Sequence, residues 1–178
     1  KPVWHLPRFI RCPNCTGYVT AQKEIAVYPE AYFTEETTDT KRGLFSPLRD
    51  FFLWLRFKKI SRLVKTKESL ILDYGCGNGK LVAYLRKRGL LVDGCDPSST
   101  AVAWAQKRGL SVFGVIPDKE YDMIMLWHSL EHTETPLNDI EVITQHMRQD
   151  GRVLIAVPNG NCLEARLADI SNVRPLLV

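Results

Sequence analysis

The chain reads as an α/β fold built on a doubly wound, mainly parallel sheet, on three observations. From Ser69 onward, short apolar runs alternate with helical stretches, and little chain is left between them. The runs do not alternate apolar with polar residues, which marks strands covered on both faces. The first run ends in an acid and is followed at once by glycines at alternate positions, as a strand turning straight into a helix requires.

Each element has a local reason. Residues 1–43, with scattered aromatics, an isolated Cys12-Pro-Asn-Cys15 and a polar run from Thr34 to Arg42, read as an irregular appendage. Residues 44–68 form an amphipathic cover helix: Ser46 caps it, its first turn holds Pro47 and Asp50, and Leu53, Phe57, Ile60 and Val64 share a core-facing side. Phe51, Phe52, Trp54 and Leu55 spill onto other sides beside Arg56, Lys58, Lys59, Arg62 and Lys65. Burial against the sheet is the first expectation for them, and peripheral contact with an anionic membrane the second.

Residues 69–160 form the core. Leu70 to Asp73 is its first strand, and Lys80 to Arg88 a helix stopped by Gly89. Leu90 to Cys95 follows as a strand closed by Asp96, then a helix from Ser98 or Ser99 to Gly109. Strands over Leu110 to Val115, Asp122 to Trp127 and Val153 to Val157 complete the sheet, with a helix from Leu137 to Arg148 before the last. Residues 161–178 are a tail, and no internal repeat is visible.

Composition narrows the function classes. With 178 residues, 45% hydrophobic and 25% charged, the chain can bury one good core plus an appendage. The net charge of +4 is spread over several segments, so no nucleic-acid partner is expected. No apolar run approaches the ~20 residues of a membrane span and the start lacks a signal-peptide core, so the expected location is cytoplasmic. Five cysteines, with Cys76, Cys95 and Cys162 in or beside core strands, do not suggest a disulfide framework. Cys12 and Cys15 are half of a tetrahedral zinc site, and read either as reduced thiols in a loop or as a structural zinc knuckle whose first pair precedes Lys1.

The loop Asp73-Tyr-Gly-Cys-Gly-Asn-Gly79 carries the chemistry. Gly75, Gly77 and Gly79 tolerate positive φ and offer no Cβ to obstruct a nucleotide. The sixth position counted from Gly75 is Lys80 instead of glycine, which disfavours NAD. Asp96 closes the second strand about twenty residues beyond Gly75, where a carboxylate accepts hydrogen bonds from ribose hydroxyls. Capping of the next helix through Pro97 and Ser98 is its other reading.

Together with Asp93-Gly-Cys-Asp-Pro-Ser98, Tyr121-Asp-Met-Ile, Trp127-His-Ser-Leu-Glu-His132 and the run from Asp150 to Asn159, this loop makes residues 44–159 resemble the class I S-adenosylmethionine-dependent methyltransferases. The His-x-Leu-Glu-His element is similar to that of a small-molecule branch that includes sugar-modifying and quinone-biosynthesis enzymes. Arg11-Cys-Pro-Asn-Cys15 resembles the second half of the zinc knuckle some members carry, and Tyr28 to Phe33 the segment after it. The resemblance implies a Rossmann-like sheet, S-adenosylmethionine as cofactor, and a small-molecule acceptor such as a sugar, quinone or phenol. It places Gly75 and Gly77 at the methionine part of the cofactor, Asp96 at the ribose and Pro97 at the adenine, with Asp73 and Cys76 also among the cofactor-binding residues.

Methyl transfer needs alignment more than acid–base machinery, but an alcohol or phenol acceptor must lose a proton. His128 is placed to take it as base, or else lines the pocket. With Glu131 and His132 it also offers a metal triad, the alternative being that those two fix the loop. Two departures from the family stand out. The connection from Ile116 to Tyr121 is short and leaves Asp118 as the candidate for the adenine, and the chain stops at Val178, before the family's last two strands. The fifth strand is then expected to be an edge unless residues 161–178 cover it. A non-catalytic module binding the cofactor or a protein, and a zinc-mediated binding protein, are the competing readings.

Overall fold

The computed structural model describes residues 9–11, 18–20 and 46–159. Cys12, Cys15, residues 21–45 and the tail 161–178 lie outside the described residues, and with them the zinc-knuckle reading. Two short strands, β1 (Phe9–Arg11) and β2 (Tyr18–Thr20), pair antiparallel with Phe9 opposite Thr20.

The main sheet has five parallel strands in the order β5-β4-β3-β6-β7: β3 (Leu70–Tyr74), β4 (Leu91–Cys95), β5 (Val112–Phe113), β6 (Tyr121–Trp127) and β7 (Met147–Ala156). The helices are α1 (Ser46–Leu63), α2 (Lys80–Arg86), α3 (Ser99–Lys107) and α4 (Pro136–Gln145). Strands β3, β4 and β5 run to one side and β6 and β7 to the other, so the chain reverses its direction of winding between β3 and β6. That point, at the carboxyl ends of the strands, is where such sheets hold ligands. Among the described residues β7 is an edge of the sheet, and no helix is long and apolar enough to cross a membrane.

Period-two alternation along the central strands fills two cores. Ile71, Val92, Met123, Met125 and Leu154 meet Leu81, Val82 and Leu85 of α2 and Ile60 of α1 on one face, with Leu53, Phe57 and Val64 packed against them. Leu72, Cys95, Ile124 and Leu126 meet Ile143 of α4 on the other. The core-facing stripe expected for α1 is therefore present. Its other apolar residues behave differently: Phe51, Phe52, Trp54 and Leu55 are exposed, not buried against the sheet.

Three elements depart from the sequence expectation. The third core strand shrinks to Val112 and Phe113, because Leu110 is used to close the end of α3, its N–H donating to the Ala105 carbonyl, and Gly94 and Cys95 offer it only two partners. Helix α4 stops at Gln145, and Met147 already pairs with Tyr121. Residues 148–151 then bulge before Arg152 pairs with Met123, and the Arg148 guanidinium reaches Asp122 at 2.9 Å. Asp122 also accepts the Leu70 N–H at 2.7 Å, so one carboxylate ties the start of β3 to the bulge.

Ile60 is fully buried between α1 and the sheet, so Ile60→Ala is expected to cost about 2–5 kcal/mol through the cavity it leaves. Phe51→Ala on the same helix should stay within about 0.5 kcal/mol. Urea unfolding of the two variants beside the parent measures both.

Candidate functional site

Three strand ends and one helix build the site. After β3 the chain turns through Gly75, Gly77 and Gly79 at φ +75°, +55° and +73°, all left-handed. Gly75 lies so close to the loop after β6 that a Cβ there would fall 2.4 Å from the Ser129 Cβ. Its N–H and that of Cys76 both donate to the Cys95 carbonyl, at 2.8 and 3.1 Å, which fastens the turn to β4. Gly79 is bare for another reason. A Cβ there would meet Leu110 at 2.9 Å, so the missing side chain serves the packing at the start of α2.

Asp96 joins the glycine turn to the start of α3. One carboxylate oxygen accepts the Gly77 N–H at 2.8 Å, and the other accepts the Ser98 N–H at 3.0 Å. Ser98 in turn caps α3, its hydroxyl accepting the Ala101 N–H at 3.3 Å. Each carboxylate oxygen has further lone pairs to offer a ligand. Pro97 beside it is exposed. Cys76 turns its side chain into the sheet: its sulfur occupies the space a Cβ on Gly94 would need, 2.6 Å away. Burial, together with the charges of Asp73 and Asp96, pushes its thiol far above the ordinary range.

Asp73 is buried, and the cost of desolvating its charge raises its pKa to about 7, against the opposing pull of the Arg56 guanidinium and with a smaller push from Asp96. Arg56 comes from α1, and its guanidinium lies 4.9 Å from the centre of the Trp127 ring. Burial also lowers its own pKa. Trp127 Nε1 and Ser129 Oγ are buried with no hydrogen-bond partner, two unsatisfied polar atoms at the end of β6. Between them His128 adopts φ +57°, the one non-glycine residue at positive φ among the described residues. Its N–H donates to Ala156, which keeps it on the sheet, and its Nδ1 lies 3.3 Å from Glu131 Oε1. No group of three or more His, Cys, Asp or Glu among the described residues can hold a metal. His128 and Glu131 meet, but with His132 they form no such group, so the triad reading finds no support.

The methyltransferase domain family matches residues 49–172, well over half of the chain. The chain belongs to that family. Solved structures with the same fold include the plantazolicin methyltransferase BpumL in complex with a monoazolic desmethylPZN analog and SAH, at 23% identity and TM-score 0.57, over 78% of this chain and 62% of that one. The sugar N-methyltransferase KedS8 from a Streptoalloteichus species aligns at 16% identity and TM-score 0.53 over 63% of this chain and 50% of its own. DesVI of Streptomyces venezuelae aligns at 16% identity and TM-score 0.52 over 60% and 51%. At these identities the likeness is one of fold, and this chain spans only about three fifths of the first of them and half of the others. No curated protein matches the sequence.

Within this methyltransferase domain the structure brings together Asp73, Gly75, Gly77, Asp96 and His128, all anticipated from sequence. Asp118 is exposed in the β5–β6 connection, whose Lys119 instead reaches back to the buried Asp93 at 2.8 Å. Sequence reasoning missed Arg56, which it counted among scattered helix charges, and the unsatisfied pair Trp127 and Ser129. A cation one residue before the partly buried Phe57 was a faint signal for the first, and nothing local marked the second.

Gly75→Ala is expected to destabilise the domain by roughly 1–3 kcal/mol, from the left-handed backbone and the Ser129 clash together. Adding Ser129→Gly should recover only the steric part, which a double-mutant cycle in urea separates. The raised pKa of Asp73 sets a second expectation. Below pH 4 folded and unfolded chains both hold the proton; between about 4 and 7 the unfolded chain ionises freely while the folded one retains it, so stability falls with rising pH and levels above 7. Asp73→Asn should flatten that decline and be the more stable protein at pH 8, as unfolding titrations across the range would show.

Proposed function

We propose that the chain is the catalytic core of an S-adenosylmethionine-dependent methyltransferase that acts on a small molecule, with the cofactor lying across the ends of β3, β4 and β6. The observation that carries this is the meeting of a left-handed glycine turn with the Asp96 carboxylate at the point where the sheet reverses its winding. Membership of the methyltransferase domain family supports it, as does a fold neighbour in complex with SAH. A plantazolicin methyltransferase and a sugar N-methyltransferase among the neighbours make a small-molecule acceptor the best supported class.

The residues present fit such a cofactor. The turn at Gly75 and Gly77 carries no side chain that could obstruct it, and two buried polar atoms, Trp127 Nε1 and Ser129 Oγ, still lack partners. Asp96 would hold the ribose hydroxyls through its remaining lone pairs, and Pro97 would lie against the adenine. Asp73 and Arg56 supply one acidic and one basic group for the amino-acid end. When bound, the cofactor supplies a methyl group on a sulfonium, which the acceptor atom takes by in-line displacement while the carbon–sulfur bonding pair returns to sulfur.

His128 is the proposed base for a hydroxyl acceptor. A histidine at positive φ costs on the order of 1 kcal/mol or more, and strain of this kind gathers at functional sites. With its Nδ1–H donated to the Glu131 carboxylate, Nε2 is left as the basic nitrogen. The proton leaving the acceptor would go to that atom.

Titration calorimetry with S-adenosylmethionine and its demethylated product, beside a turnover assay on small hydroxylated acceptors, tests the proposal. Binding with transfer is expected; binding without transfer would make the chain a non-catalytic module, and no binding would overturn the reading. His128→Ala should lower kcat by about 100-fold or more while cofactor affinity changes little.

A further inference from the structure

The side of α1 turned away from the core is divided along its length. Leu48, Phe51, Phe52, Trp54 and Leu55, each between 41 and 51% exposed, occupy its N-terminal half. Lys58, Lys59 and Arg62 occupy the C-terminal half of the same side. The aromatic rings form one cluster, with Phe51 stacked on Trp54 at 5.8 Å and in edge contact with Phe52 at 6.0 Å. Lys58 Nζ sits 5.6 Å from the Trp54 ring centre, where the apolar and basic halves join. A shallow groove lined by Trp54, Leu55, Lys58, Lys59 and Arg62 runs across that junction. None of the three cations has a carboxylate partner among the described residues, and the helix's single acid, Asp50, is taken by Arg49 at 3.6 Å.

We infer that this face is a docking surface for an anionic lipid bilayer. Aromatic and aliphatic side chains gain by entering the acyl boundary, and the cations next to them then lie at the depth of the lipid phosphates. A second copy packed parallel would set like charges together, and one packed antiparallel would bury the cations against the apolar half with no counter-ion; both oppose that pairing. A nucleic acid would engage the basic half but gain nothing from Leu48 and Leu55. The helix rests on the domain through its opposite side, by Leu53, Phe57, Ile60 and Val64, so docking requires no unfolding. The inference stands apart from the methyl-transfer reading, because none of the residues on this face belongs to the site.

Vesicle flotation of the full chain provides the test, with phosphatidylcholine alone and with phosphatidylglycerol mixed in. Binding is expected on the mixed vesicles only, and is expected to weaken as salt is raised. Lys58→Gln, Lys59→Gln and Arg62→Gln combined should lower partitioning by about 100-fold, roughly fivefold per cation. Phe51→Ser with Trp54→Ser should abolish it, while Lys58→Arg keeps it; circular dichroism shows that each variant is folded. Brominated lipid should quench tryptophan emission in the parent and do so less in Trp54→Phe. Equal binding to neutral vesicles overturns the inference. So does binding that the variants leave intact, or the absence of binding, the result expected if the acidic residues between Glu30 and Asp39, a second copy or an acidic protein takes the face.

Discussion

Where β3 and β6 run side by side, their carboxyl ends come so close that position 75 admits no side chain, and the geometry of the candidate site depends on that contact. Because Gly75 is bare and left-handed, Ser129 can close over the turn and the chain after β6 can pass across the end of β3. Two hydrogen bonds from the turn to the Cys95 carbonyl then bring β4 into the same arrangement. Asp96 extends it by one more residue on each side, accepting from Gly77 in the turn and from Ser98 at the start of α3. A single close approach thus holds three strand ends and a helix start in one place.

The charges follow from the same closeness. Asp73 sits at the last covered position of β3, where burial makes ionisation costly, and the compensating cation has to come from outside the sheet. Arg56 on α1 provides it, with its guanidinium lying over Trp127. A second buried acid, Asp93 in the middle of β4, is met differently: Lys119 reaches it from the short β5–β6 connection at 2.8 Å, and the Tyr121 hydroxyl donates to it at 3.3 Å. A connection too short for a covering helix is compensated there by one long side chain.

Much of this was legible along the chain because it depends on neighbours in sequence. Apolar runs without alternation predicted buried parallel strands, and Gly89 and Gly109 predicted the ends of α2 and α3, where both adopt positive φ. Boundaries failed where a distant partner decided them. Val112 and Phe113 are all that remains of a longer apolar run, since β4 can pair with no more of it, and Met147 leaves the helical pattern to pair with Tyr121. The aromatic residues of α1 were expected to be buried because their hydrophobicity is visible in sequence, but which side of a helix meets the sheet is settled by packing.

The sequence alone determined the fold class, the glycine turn and the acid that faces it, because strand periodicity, left-handed backbone and a helix cap are local requirements of residue type. Tertiary structure decided that Gly75 must be bare on account of Ser129 as well as its own φ, that Arg56 is the cation for Asp73, and that His128 is strained. Each of these is a relation between residues far apart in the chain, and only the folded sheet sets the distances on which steric exclusion and Coulomb attraction depend.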